Sequence, residues 1–465
     1  MKSILLPIAA AGFAITCLMS VQAQEPEAGA ESEKPRRTSS RFPDDVAGLE
    51  EVAKQAIADD NGLRLLQSTI LLRRQQPYAP RHMVNMVRAY AMMDKPTSAY
   101  HYMLQMQQQG LSYDFDQLEE TINLHGTEVY DYLKDLLIRS GEPAGEAEPA
   151  FEIEPDHALP SAIAWDESRE RFLVGTAREG AVLAINENGK AKELLAADVG
   201  NGLWSIMDIE VDEANNRLWL SSAAIPLFSG YSDANAGHSG LFEFELDSLE
   251  AVGRYLVDRD GEPHVLGAIA LDTDGDVYVG DRENAVLYIK KAGSDGIAPF
   301  VADQTLSGFR DIAISADGKR IYLADADKGI LVIDPENETA VMLEGPDTLN
   351  LGGIEGLFHV GSELIIVQSG IQPQRLMSLV LDSTGGKVQE VRPMAIALQW
   401  FDRPSRGTIR GDSVYYFADA ALPEPGAPPK EVTVLRTALN AGATIVAPDM
   451  RKFEEETLSK VRNNP

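Results

Sequence analysis

The chain reads as a mainly β protein: a six-bladed β-propeller carried behind a small α-helical region. Three observations predict this. Beyond residue 150 the apolar period is two, and six segments repeat one pattern of apolar strand, polar turn and second apolar strand. Taking Phe172, Leu218, Val277, Ile321, Leu364 and Val414 as equivalent, the repeats lie between 43 and 59 residues apart. Before residue 141 the apolar period is helical instead.

The six units pair Ser161–Trp165 with Phe172–Gly175, Met207–Val211 with Leu218–Ser221, and Gly267–Leu271 with Val277–Gly280. They continue with Asp311–Ser315 and Ile321–Ala324, Gly356–His359 and Leu364–Val367, then Gly407–Arg410 and Val414–Phe417. Each has a third strand, from Ala181–Ile185 in the first to Val432–Leu435 in the last, and often a fourth, such as Val341–Leu343. Four short strands at this spacing make a propeller blade. Turns such as Asp274-Gly275 and Asp317-Gly318 supply the positive φ that tight hairpins need. A β-sandwich would not require six near-equal units. A ring must also close, and either Phe151–Glu154 or Ala443–Ala447 can complete a blade shared by the two ends.

The helical region spans residues 45–140. Leu63, Leu66, Ile70 and Leu71 mark one apolar stripe, Met83, Met86, Val87 and Tyr90 a second, and Ala99, Met103 and Met106 a third. Pro80 and Pro96 stand where helices start, Gly110 and Gly141 where they stop. Tyr90 and Ala99, nine residues apart, resemble a tetratricopeptide repeat, and one such unit needs flanking helices to bury its face. Residues 141–149 read as a linker, 150–450 as the propeller and 451–465 as a tail.

The N-terminus reads as an export signal. Lys2 precedes an apolar run from Ile4 to Met19, and Val21-Gln22-Ala23 offers small residues at the cleavage positions, so residues 1–23 are expected to be removed. Residues 24–44, rich in Glu, Ala, Ser and Pro, read as a disordered leader. The expected destination is the periplasm or the exterior. The sole cysteine, Cys17, lies inside the signal, which excludes disulfides and thiolate chemistry from the mature chain. With 72 acidic against 41 basic residues, a net charge of -31, the surface repels phosphate backbones and anionic lipid. Nucleic acid is therefore excluded as a partner, and no membrane insertion of the mature chain is expected.

The phrases Ser315–Asp325, Lys328–Asp334 and Ile354-Glu355-Gly356 resemble the gluconolactonase, senescence-marker and strictosidine-synthase-like propellers over residues 150–450. NHL-type binding propellers share much of this grammar. The resemblance implies a divalent cation, commonly calcium, on the channel axis, held by Glu, Asn and Asp at the starts of inner strands. Here those positions carry Ser161, Arg310 and Glu355. Only Glu355 keeps a carboxylate, and calcium asks for several among six to eight oxygens. Asp208 and Asp311 fall within one residue of the same column, so Asp208, Asp311 and Glu355 are the candidate metal ligands.

Candidate ligand contacts are Arg310, His264, and Phe228 and Tyr231 in the irregular stretch Ile225–His238. The loop Asp272–Asp276 lacks the glycine a calcium loop needs, and no nucleophile elbow, phosphate loop or zinc-helix motif occurs. Two functions follow as expectations: a module binding a protein, peptide or small ligand, or a metal-dependent hydrolase of lactones or esters. The arginine at a ligand position favours binding.

Overall fold

The computed structural model describes residues 42–155, 159–186, 189–258, 260–419 and 430–443. The signal-like segment, most of the leader, His157, the stretch 444–447 and the tail lie outside them.

Six antiparallel four-stranded sheets form the ring, and blade five carries a fifth strand. The inner strands, in blade order, are Pro160–Asp166, Ser205–Asp212, Leu266–Leu271, Phe309–Ile314, Ile354–Val360 and Ser405–Arg410. All six residues taken as equivalent sit on second strands. Each second strand is buried on both faces between neighbouring blades, hence the unbroken apolar runs such as Ile321–Ala324.

The ring closes through the N-terminal alternative. Glu148–Ile153 pairs antiparallel with Val432–Ala438 as the outermost strand of blade six. Phe151 and Ile153 pack there with Phe172, Tyr415, Phe417 and Val434.

Five helices precede the ring: α1 (Val46–Ala58), α2 (Gly62–Gln75), α3 (Pro80–Met92), α4 (Pro96–Gln108) and α5 (Glu128–Arg139), with two short 3-10 turns between α4 and α5. Pro80 and Pro96 open their helices, where the missing N–H costs nothing. Asp45, Asn61 and Thr127 cap α1, α2 and α5 by accepting backbone N–H bonds. The second and third stripes are core, with Tyr90 only partly buried. The first is displaced: α2 buries Leu65, Ser68, Thr69 and Leu72, while Leu63 and Ile70 face solvent. Leucines on both sides of this helix hide which face is inward, and its packing between α1 and α3 decides it.

The expected linker 141–149 is instead bound to the ring on both sides. Ala144–Gly145 adds the fifth strand to blade five, and the closing strand begins at Glu148. Helices and ring also share cores. Tyr78, before α3, packs into the cluster of blades four and five, and Ile371 of blade five packs into the helical core. Polar bonds follow the same seam: Gln76 Nε2 donates to Asp327, Lys328 Nζ to the Arg74 carbonyl and Ser112 N–H to the Gln372 carbonyl. Arg375, 2% exposed, donates Nη1 to the carbonyls of Gln109 and Gly110 just beyond α4, and Nε to Gln368. Those carbonyls carry the negative end of the helix dipole, so a buried cation is accommodated without a carboxylate.

Candidate functional site: the arginine-lined mouth of the channel

Every inner strand is irregular near its start. Register breaks fall at Ser161, Met207, Gly267–Ala268, Arg310, Glu355 and Arg406. A bulge leaves one residue unpaired and turns its side chain out of the ladder. Six bulges at one level therefore make a ring of six positions around one end of the channel, called the upper end here. The helical region docks at this end, on the connections flanking Asp327, Asn350 and Gln372 of blades four and five.

The six positions are unequal. Ser161 Oγ donates to the carbonyls of Gly175 and Ile206, tying blade one to blade two. Blade three has only Gly267, and the space is filled from above: a Cβ there would lie 2.8 Å from Cδ of Arg282. Arg282, just past the second strand of blade three, thereby enters the ring. Together with Arg310 and Arg406 it places three guanidinium groups at one mouth of a protein whose net charge is -31.

Their hydrogen-bonding capacity is largely unused. A guanidinium has five N–H donors. Arg282 reaches Glu355 Oε2 at 3.4 Å and the Arg310 carbonyl at 3.5 Å, both long. Arg406, 8% exposed, lies 3.0 Å from Asp208 Oδ1, yet its Nη1 is not aimed for a hydrogen bond, and Nη2 meets the Arg310 carbonyl at 3.5 Å. The half-buried side chain of Arg310 makes no hydrogen bond or ion pair among the described residues. Burial, with Arg406 and Arg310 beside it, lowers the Arg282 pKa to about 10 despite Glu355.

The candidate metal ligands lie in this region, and two of them, Asp208 and Asp311, are held by backbone N–H groups. Asp208 accepts from the Ile269 N–H and faces Arg406, joining blade two to blade three. Asp311 accepts from its neighbour Ile312 and from Leu357, joining blade four to blade five. Glu355 faces Arg282. Burial raises Asp208 against the pull of Arg406, and it pushes Asp311 up to about 7. Among the described residues no group of three carboxylate, histidine or cysteine side chains is arranged to hold a metal ion. The donor set does not fit calcium: two carboxylates are bound to backbone N–H, and a fixed guanidinium stands beside them.

Below this level the channel widens into a cavity of about 400 Å³, with Asp208, Asp311 and Arg406 at its upper end and Glu210, Trp165 and His359 along its walls. Burial, then the charges of Asp208 and Asp311, raise the Glu210 pKa well above the ordinary carboxylate value.

Of the remaining candidates, His264 is turned to a structural task. It bonds Asp281, whose other oxygen accepts the N–H groups of Val265, Glu283 and Asn284 and so holds the turn. Phe228 packs on the core of blades one and two and anchors its loop, whereas Tyr231 is 38% exposed.

Arg282 and Arg406 escaped the sequence reading. Arg406 had a signal, because Arg406-Gly407 repeats the step Glu355-Gly356, and starting the sixth unit at Gly407 misses it. Arg282 had only an indirect one, the side-chain-free Gly267.

No protein-family model and no curated protein matches this sequence. Among solved structures, a luciferin-regenerating enzyme is similar at 12% identity over 65% of this chain and 97% of its own, with a TM-score of 0.44. A putative oxidoreductase (glucose dehydrogenase) from Thermus thermophilus is similar at 14% identity over 63% and 99%, with a TM-score of 0.42. A nidogen/laminin complex chain gives 13% over 50% and 80%, with a TM-score of 0.39. The number of blades rests on the strand pairing of this chain itself. No helix among the described residues is long and apolar enough to cross a membrane.

Proposed function

We propose that this chain is an exported binding module whose propeller holds an anion at the upper mouth of its channel. One observation carries the reading: Arg282, Arg310 and Arg406 converge there with most of their N–H donors unmatched. Guanidinium groups hold carboxylate and phosphate oxygens by paired N–H bonds, and a partly desolvated site strengthens each bond. The same charges speak against a metal-dependent hydrolase, since a cation placed among them would be repelled.

Thermal melts of the full chain in sulfate, acetate, calcium, magnesium and zinc test this. The anions should raise the melting temperature in a saturable way, and Arg310→Ala should lower their affinity about tenfold while raising the ligand-free melt slightly, because one of three adjoining like charges is removed. Stabilisation by a divalent cation, with none by any anion, would reverse the assignment.

A further inference from the structure

Down the channel from their bulges the inner strands line up in tiers. Their pairing with the second strands places Asp208, Asp311 and the bulged Arg406 in the first tier, and Ile209, Ile269, Ile312 and Leu357 in the second. Glu210 lies in the third, where blades one, three and four carry Ala164, Ala270 and Ala313, and blades five and six carry Phe358 and Thr408. All three tiers border the one cavity.

Two groups on its wall lack partners. Arg406 is 8% exposed, and its Nη1 has no hydrogen-bond partner. Asp208 and Asp311 each tie one blade to the next, whereas the Glu210 carboxyl meets only the N–H of its own neighbour Val211 among the described residues. A buried carboxyl that fastens nothing is a liability to folding. Two strand residues separate the level of Arg406 from that of Glu210, about 7 Å along the strands. The tier between them is apolar. An orphan donor, an apolar step and an orphan carboxyl follow one another along a single channel.

We infer that the ligand is a zwitterion with well-separated charges, an ω-amino carboxylate: its carboxylate on the arginines, its methylenes along the isoleucine tier and its ammonium on Glu210. This rests on the anion site proposed above and names its ligand class. Asp208 and Asp311 add negative potential at the ammonium end. Burial, then the charges of those two aspartates, makes Glu210 hold its proton more tightly than an exposed carboxyl does, and an arriving ammonium releases that proton to solvent. The other titratable groups on the cavity wall are Arg406 and His359. An α-amino acid, whose two charges share one carbon, is too short to reach both ends.

Calorimetric titration of the full chain with acetate, glycine, caproate, ε-aminocaproate and hexylamine tests this. ε-Aminocaproate should bind at least about tenfold tighter than caproate, while glycine gains nothing over acetate. Glu210→Gln keeps the shape and removes the charge, so it should abolish the preference and leave caproate bound as well as before or better. Arg310→Ala should weaken caproate and ε-aminocaproate alike. Equal affinity for these two in the unaltered protein overturns the zwitterion and leaves the anion site standing. A preference that survives Glu210→Gln overturns the assignment of the ammonium to Glu210, and a gain by glycine as large as that of ε-aminocaproate overturns the span. No binding of caproate, acetate or sulfate, whatever hexylamine does, removes the anion site and this inference with it.

Discussion

Arg375 and Arg406 are both buried arginines at the upper end of the ring, and they are satisfied in opposite ways. Arg375 spends its donors on neutral carbonyls, at 2.8 and 2.9 Å for its two shortest bonds, and has no carboxylate partner among the described residues. Arg406 stands near Asp208, Asp311 and Glu355, which together outweigh burial and hold its pKa above the ordinary value, yet its donors are poorly aimed. Good geometry without countercharge marks a residue that fastens two parts of a fold. Countercharge without good geometry marks one that can exchange partners. The first locks α4 onto blade five, and the second belongs to the cluster proposed above to hold an anion.

The largest expected effect follows from the first. Arg375→Met strips the Gln109, Gly110 and Gln368 acceptors of their buried donor and should cost about 3 kcal/mol or more in urea unfolding. Acetate affinity of the folded protein should stay within twofold. A large loss of affinity would make the two arginines one functional unit and erase the contrast.

Arg406→Met should act the other way, lowering acetate affinity at least about tenfold. Its stability should depend on pH. Without the guanidinium, Asp208 and Asp311 are ionised against burial alone, so the variant should melt lowest relative to the unaltered protein at pH 8 and least so at pH 5. A pH-independent deficit would mean that Arg406 acts by packing.

The third effect tunes the contrast. Asp311, near 7, is a carboxylate whose folded pKa is raised. The folded state then holds its proton over a range where the unfolded chain has released it, so this group lowers stability as pH rises from about 4 to about 7. Asp311→Asn, a mimic of the protonated form, should gain stability relative to the unaltered protein across that window and hold level above it. Neutral Asp311 also stops competing for Arg406, so acetate should bind more tightly at pH 6 than at pH 8, and Asp311→Asn should flatten the profile. An affinity that rises with pH would contradict the assignment.

The smallest effect concerns His264. Burial opposes its charge, but Asp281 and Asp260 outweigh it and raise the pKa. A raised histidine stabilises below the unfolded pKa, and the gain disappears as pH climbs through the folded value. His264→Gln should therefore lower the melting temperature by a few degrees at pH 6, less at pH 9, and leave anion affinity untouched.

How much of this could be read beforehand differs between ring and mouth for a physical reason. Second strands such as Phe172–Val174 and Ile321–Leu323 are covered on both faces, so burial writes itself into consecutive residues. Ser161, Arg310 and Glu355 could be singled out because the cation-ligand positions of the resembled propellers fall on them, and each proves to be the bulged residue of its inner strand. What those residues do was hidden. Asp208 and Asp311 looked like cation ligands, and only three-dimensional pairing shows their oxygens taken by Ile269, Ile312 and Leu357. Arg282 fills space left by Gly267 through a contact that no local spacing encodes. The seam between α4 and blade five, fixed by Arg375 and Ile371, is likewise a matter of tertiary contact, and residues 141–149 looked free only because a two-residue strand is too short to show a period.

The closing strand sets the order in which this molecule can be finished. Glu148–Ile153 is synthesised ahead of the whole ring, and its partner Val432–Ala438 comes near the chain's end. The helical hairpins need only near neighbours and can form early, but the last blade must recruit a strand from the far end of the ring. Loop-closure entropy grows only slowly with such a separation, so the finished ring loses little stability. Speed suffers more, since pairing at long range slows folding steeply. Until it is complete, Phe151 and Ile153 can pack on Phe172 of blade one but lack Tyr415, Phe417 and Val434 of their own blade, and the half-made chain carries an open sheet edge that other chains can occupy.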